Sequence, residues 1–95
     1  MSHCRSLTDF AVILSEKDNV ATALVDMPAG EYIFSSGESG TTITVPEDIM
    51  AGFKVALSDI GKAKPIFKYG YMIGKAKVDI KKGHCVHIHN LISSV

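Results

Sequence analysis

The sequence has little that would tie it to a charged polymer, an oxidising compartment or a bilayer. Its ten Lys and Arg are matched by ten Asp and Glu, so the formal net charge is zero. Without a basic excess or a long Lys/Arg run, counterion release gives nucleic-acid binding little driving force, and no nucleic-acid partner is expected. Only two cysteines occur, Cys4 and Cys85, near opposite ends. They do not make a disulfide framework, and reduced thiols are the expectation. The apolar patch near the start, Phe10-Ala11-Val12-Ile13-Leu14, is followed at once by Ser15-Glu16-Lys17-Asp18. It is too short to span a membrane and lacks the basic start, length and cleavage site of a signal peptide. No membrane association is expected, and the expected location is cytoplasmic.

What the chain does have is apolar side chains, 46% of 95 residues. A chain of this length makes one small domain and buries only about 60–65% of its unfolded surface. Much of its apolar content can then be covered by a partner, and exposed strand edges leave a homo-oligomer open. Short segments rich in Val, Ile, Thr, Phe and Tyr alternate with Gly and Pro, which predicts strands and turns. The expected strands are Ala11–Leu14, Tyr32–Phe34, Thr41–Val45, Lys54–Leu57, Pro65–Tyr69, Tyr71–Ala76 and Cys85–Asn90. Asp18 to Val25 suits a short helix or a strand equally. Ser35 to Gly40 reads as a flexible loop with nothing to pack. Pro28 and Pro46 suit places just outside strands, where a missing N–H costs nothing.

A small unit recurs: an acid, an apolar residue, two turn residues, then glycine. It appears at Asp26-Met27-Pro28-Ala29-Gly30, Asp48-Ile49-Met50-Ala51-Gly52 and Asp79-Ile80-Lys81-Lys82-Gly83. Asp59-Ile60-Gly61-Lys62-Ala63 is a weaker copy, with alanine in the glycine position. The acid is expected to bond backbone N–H groups ahead of it and the apolar residue to plug the core. The glycine takes a positive φ to turn the chain into a strand. The uneven intervals exclude a solenoid. They predict a compact, mostly β domain of short strands and long bent hairpins, with at most one or two short helical turns.

Two stretches carry candidate chemistry. In Gly83-His84-Cys85-Val86-His87-Ile88-His89-Asn90-Leu91, a regular strand puts Cys85, His87 and His89 on one face. Val86 and Ile88 then point to the core, with His84 on their side. His87 and His89 would have Cα atoms about 6.5–7 Å apart and can share a metal ion, while Cys85 lies about 13 Å from His89. The pattern is therefore half a metal site; the competing reading is a row of surface histidines. In Lys68-Tyr69-Gly70-Tyr71-Met72-Ile73-Gly74-Lys75, Lys68 and backbone exposed at Gly70 and Gly74 can hold a carboxylate. The alternative there is a bent hairpin with Tyr69 and Tyr71 as half-buried packing. Cys4 lacks activating neighbours, and Asp9, Glu16 and Asp18 are scattered acids.

These segments also carry a resemblance. Asp18-Asn19-Val20-Ala21-Thr22-Ala23-Leu24, Pro28-Ala29-Gly30 and Ile49-x-Ala51-Gly52-x-Lys54-Val55-Ala56-Leu57 are similar to the SAF domain (sialic-acid-synthase/antifreeze type) of altronate/galactarate dehydratases. Lys68-Tyr69-Gly70-x-x-Ile73-Gly74-x-Ala76 and Gly83-x-x-Val86-His87-x-His89-Asn90-Leu91 continue it, and together these last two are specific. The resemblance runs from about Phe10 to Leu91. It divides the chain into an N-terminal extension (1–9), the SAF domain (10–92) and a short tail (93–95).

The resemblance implies a SAF-type β-clip beside a large catalytic dehydratase-type subunit or domain. It also implies a sugar-acid or hydroxy-acid substrate and a divalent metal (iron, manganese or magnesium) shared with that partner. The small subunit of two-subunit sulfolactate sulfo-lyases is similar, which makes a free-standing subunit of a hydro-lyase or carbon–sulfur lyase one expectation. A non-catalytic carbohydrate-binding or scaffold module is the alternative. On the lyase reading His87 and His89 take metal or acid/base duty, and Lys68, Tyr69, Gly70, Gly74 and Asn90 bind substrate.

Overall fold

The computed structural model describes residues 4–36, 39–87 and 91–93. Among them lie ten short strands and one 3-10 turn, Leu7–Asp9, in a mostly β fold. The strands are β1 (Cys4–Ser6), β2 (Ala11–Val12), β3 (Val20–Ala23), β4 (Gly30–Ser36), β5 (Ser39–Val45), β6 (Lys54–Ala56), β7 (Pro65–Lys68), β8 (Tyr71–Ala76), β9 (Cys85–Val86) and β10 (Leu91–Ser93). They form three sheets, ordered β1-β4-β5, β10-β8-β7 and β2-β3-β6-β9.

The four-stranded sheet is a wall with a core on each side. Alternation along its strands sends successive side chains to opposite faces. Ala11, Ala21, Ala23 and Val55 join Leu7, Met27, Tyr32, Ile43, Val45 and Ile49 in one core. Val20, Ala56 and Val86 join Ile60, Ile66, Ala76 and Ile80 in the other. Within the first core, buried Tyr32 donates its hydroxyl to the Pro28 carbonyl at 2.6 Å and meets Phe10 edge-on, with centroids 5.3 Å apart.

The recurring turns work in reciprocal pairs. Met27 and Ile49 exchange backbone hydrogen bonds of 2.7 and 2.8 Å, and Ile60 and Ile80 exchange two of 2.8 Å. Each aspartate accepts an N–H from the partner turn, not from its own as the sequence reading had it. Asp26 takes Ala51 N–H (2.9 Å) and Asp48 takes Ala29 N–H (2.8 Å). Asp59 takes Lys82 N–H and Asp79 takes Lys62 N–H, both at 2.8 Å. The reason is geometric: the two central residues run antiparallel, so each acid faces the orphaned N–H three residues beyond its partner turn's own acid. The apolar residue between them plugs one core, burying a side chain that contributes about 1.5–3 kcal/mol.

Several expectations are revised. Of the two alternatives left open for Asp18 to Val25, the strand holds over Val20–Ala23 (β3), buried throughout in a central place in the wall, while Leu24 and Val25 are exposed. The Ser35–Gly40 loop is instead the end of a long hairpin, with Ser35 paired to Gly40 and Ser36 to Ser39. Cys4–Ser6, placed in an extension, pairs in parallel with Glu31–Ile33 of β4. The strand expected over Cys85–Asn90 runs only over Cys85–Val86 and bends at His87, with residues 88–90 outside the described set. His84, expected on the core side with Val86, is exposed.

The glycine position of the turns is where backbone conformation decides the sequence. Gly52 and Gly83 have φ of 92° and 90°, and Ala63 adopts φ 69°. An L-residue there costs about 1–2 kcal/mol, partly offset by the entropy glycine loses on folding. A Cβ on Gly83 would also collide with the Thr44 carbonyl. Ala63→Gly should therefore stabilise the domain by about 0.5–1 kcal/mol. Gly83→Ala should cost more than about 3 kcal/mol. Urea unfolding of the two variants beside the parent chain checks both signs.

Candidate functional site

The hairpin β7–β8 is fastened to the wall by two adjacent side chains. Asn19, just before β3, donates its amide to the Pro65 carbonyl (2.9 Å) and accepts from Phe67 N–H (2.7 Å). It bridges the place where the β7–β8 register slips, between Ile66 and Phe67. Asp18 accepts the Gly70 N–H at 2.8 Å. The hairpin turns on Tyr69 and Gly70, both left-handed, with φ of 57° and 82°. That is the demand of a tight type I′ turn, which asparagine and glycine usually meet. Tyrosine in this conformation stores about 1–2 kcal/mol of strain, the kind of local exception found at functional sites.

Lys68 is half-buried, and its ammonium lies 4.9 Å from the Tyr69 ring centroid, within cation–π range. Gly70 offers its N–H to Asp18 and not to an incoming ligand. Gly74 is buried in mid-strand, paired with Ile66 of β7 and Ser93 of β10. Tyr69 is half-buried, but Tyr71 is 76% exposed, so only one of the two tyrosines packs as the bent-hairpin alternative requires.

His87 lies on the other side of the wall. Val55 pairs with Cys85 and Lys54 with Val86, and His87 stacks on Phe53 with centroids 4.0 Å apart and planes 14° from parallel. Phe53 and Cys85 pack against the first core, whereas Val86 belongs to the second. Lys68 belongs to β7, whose Ile66 lies in the second core. The wall therefore separates His87 from Lys68, two residues that the sequence reading grouped around one substrate. His89 and Asn90 lie outside the described residues, in the segment linking β9 to β10.

Among the described residues no three His, Cys, Asp or Glu side chains are grouped so as to hold a metal ion. His87, with one face against Phe53, is a single donor there, so the described residues do not fit a self-contained metal centre. A cleft of about 340 Å³ opens elsewhere, lined by Glu47, Asp48, Asp79, Lys81, His84 and Cys85 among others. It contains none of the residues singled out above as substrate or metal ligands.

Sequence reasoning passed over Lys54, the half-buried lysine of β6. Burial lowers its pKa most, the neighbouring Lys68 cation lowers it further, and Cys85 acts in the opposite direction. Across the ladder, burial raises the Cys85 pKa, with Lys54 opposing and Glu47 adding to the rise. Lys54 is among the residues that carry the resemblance, but nothing in the sequence gives it a role, because its environment arises from strands distant in the chain.

The chain belongs to the altronate/galactarate dehydratase SAF domain family, whose model matches residues 9–94. It is 42% identical over 77 residues to an altronate dehydratase of Bacillus subtilis (strain 168), covering 81% of this chain and 15% of that protein. It is 42% identical over 73 residues to an altronate dehydratase of Escherichia coli (strain K12), covering 77% of this chain and 14% of that protein. The chain thus spans about one-seventh of the length of these curated relatives. Among the described residues no helix is long and apolar enough to cross a membrane.

The raised thiol pKa has a direct readout. In a Cys4→Ser background, iodoacetamide should alkylate Cys85 more slowly at pH 8 than an exposed cysteine, because less of it is thiolate. The midpoint of its pH–rate profile should lie above that of an exposed cysteine. Lys54→Met removes the cation that opposes the rise, so the midpoint should move higher still. Mass-spectrometric alkylation rates across pH 7–11 check the order of the three profiles.

Proposed function

We propose that this chain is the SAF component of a lyase acting on sugar acids or related hydroxy acids. In this reading it works at a junction with a large catalytic dehydratase-type partner. One observation carries the proposal. Residues 9–94, nearly the whole chain, match a domain family, yet the chain accounts for only 14–15% of the altronate dehydratases it matches. The described residues, for their part, assemble no complete catalytic constellation.

Water elimination from a hydroxy acid removes the proton α to the carboxylate and expels hydroxide from the β carbon. The step needs positive charge where the carboxylate gains enolate character, a base for the proton, and an acid at the leaving oxygen. Lys68 supplies positive charge beside the Tyr69–Gly70 turn, with Tyr69 shaping the approach. Asn90 is assigned a hydrogen bond to substrate. His87, on the far side of the wall from Lys68, and His89 are assigned proton transfer at the junction. A divalent ion (iron, manganese or magnesium) would take its ligands chiefly from the catalytic partner, with these histidines contributing at most two.

Reconstitution tests the proposal. The catalytic region of an altronate dehydratase, stripped of its own SAF domain, is assayed with and without this chain on altronate, galactarate and sulfolactate. Addition of the chain should restore elimination at least tenfold on one sugar acid, and His87→Ala/His89→Ala should lower the restored rate by about 10²–10⁴. Full activity in the double variant would remove the histidines from the mechanism. Restoration only on sulfolactate would shift the reading to a sulfo-lyase. No restoration, together with binding of neutral carbohydrate by the chain alone, would favour a binding module.

A further inference from the structure

Thr22 and Lys54 lie on the second-core side of the wall, between strand neighbours whose side chains enter the other core, and Lys68 of β7 is close enough for its charge to act on Lys54. Val12 pairs with Thr22, Thr22 with Lys54, and Lys54 with Val86, so one row of side chains crosses the four strands on one face. Directly opposed residues on neighbouring antiparallel strands have Cβ atoms about 4.5–5.5 Å apart. The Thr22 hydroxyl and the Lys54 stem therefore share one spot, with a valine on either side.

Two features of that spot point to a ligand. Thr22 is 9% exposed, and its hydroxyl oxygen is buried without a hydrogen-bond partner. Buried hydroxyls are almost always bonded, and valine would fill the same volume without the penalty. Lys54 is half-buried, and the groups acting on its charge are Lys68 and Cys85, with no carboxylate among them. Among the described residues, two ammonium groups beside a buried hydroxyl without a partner, with no carboxylate acting on Lys54, are complementary to an oxyanion. They are not complementary to a metal ion, because the row contains no acidic or imidazole donor.

We propose that Thr22, Lys54 and Lys68 form a binding site for the carboxylate of a hydroxy acid. Lys54 and Lys68 contact the carboxylate oxygens, and the Thr22 hydroxyl donates to a carboxylate oxygen or to the adjacent hydroxyl. The choice of a hydroxy acid rests on the lyase reading above; the oxyanion site itself rests on the row alone. Thr22 and Lys54 are ligand-binding residues that the sequence reading did not find.

The test uses the ¹⁵N-labelled 95-residue chain and sodium gluconate as probe, with sodium chloride, inorganic phosphate and glycerol as controls at matched ionic strength. Gluconate should give saturable amide shifts centred on Thr22, Lys54 and Lys68, and should raise the pKa of Lys54 followed through its side-chain carbon. Lys54→Met should weaken binding at least tenfold, and Lys54→Arg should recover part of the loss. Thr22→Val should weaken binding at least threefold while raising the melting temperature, a pairing that a structural role for the hydroxyl would not produce. Equal affinity for phosphate and gluconate would overturn the carboxylate assignment. Absence of saturable shifts at these residues, or unchanged affinity in Lys54→Met, would overturn the site. Failed reconstitution with intact gluconate binding would sink the lyase reading and leave the site standing; the reverse pattern would do the opposite.

Discussion

The fold depends on a reciprocity between turns. Each of Asp26, Asp48, Asp59 and Asp79 accepts an N–H that belongs to another turn, three residues beyond that turn's acid. A turn of this kind cannot be satisfied alone. Two must meet, and when they meet, their central apolar residues face the same side. Met27 with Ile49 closes one core, and Ile60 with Ile80 closes the other. The uneven spacing of the units along the chain follows, since what is fixed is pairing in space and not distance in sequence. A small domain with little surface to bury gains from this, because one motif supplies a chain reversal, a hydrogen-bonded cap and a core plug at once.

The shared wall between the cores also sets what the surface can do. Its alternation sends Phe53, Cys85 and His87 to one side and Thr22, Lys54 and Val86 to the other. A single substrate the size of a sugar acid has no direct path between His87 and Lys68 through such a sheet.

Much of the architecture was legible because it is local. Strands such as Thr41–Val45 and Lys54–Ala56 show themselves by β-branched residues between turn signals. The Asp-apolar-x-x-Gly units were visible for the same reason, including the substituted copy at Ala63, which takes the left-handed conformation despite its Cβ. What was not legible depends on neighbours distant in the chain. Cys4–Ser6 has no strand pattern and is held by parallel pairing with β4. Asp48 looks outward to its own turn in sequence but is turned toward Ala29 by the fold. Lys54 reads as an ordinary lysine in a strand, and only the pairing with Thr22 and the approach of Lys68 make it unusual. The sequence reading thus placed candidate chemistry at His87 on one side of the wall and at Lys68 on the other, and gave no role to Thr22 or Lys54.

Electrostatics gives a reason for such a site to work with a partner. Burial lowers the Lys54 pKa most, and the neighbouring Lys68 cation lowers it further. An oxyanion between them reverses the sign of that interaction, since each ammonium then faces opposite charge. In water the gain is small, because at about 4 Å a pair of unit charges is worth only about 1 kcal/mol. Covering the row with a second protein surface lowers the effective dielectric and multiplies the same attraction roughly fourfold near ε of about 20. On the proposed reading, a row that leaves Lys54 and Lys68 half-exposed would hold an anion loosely by itself and firmly once covered by a second protein surface.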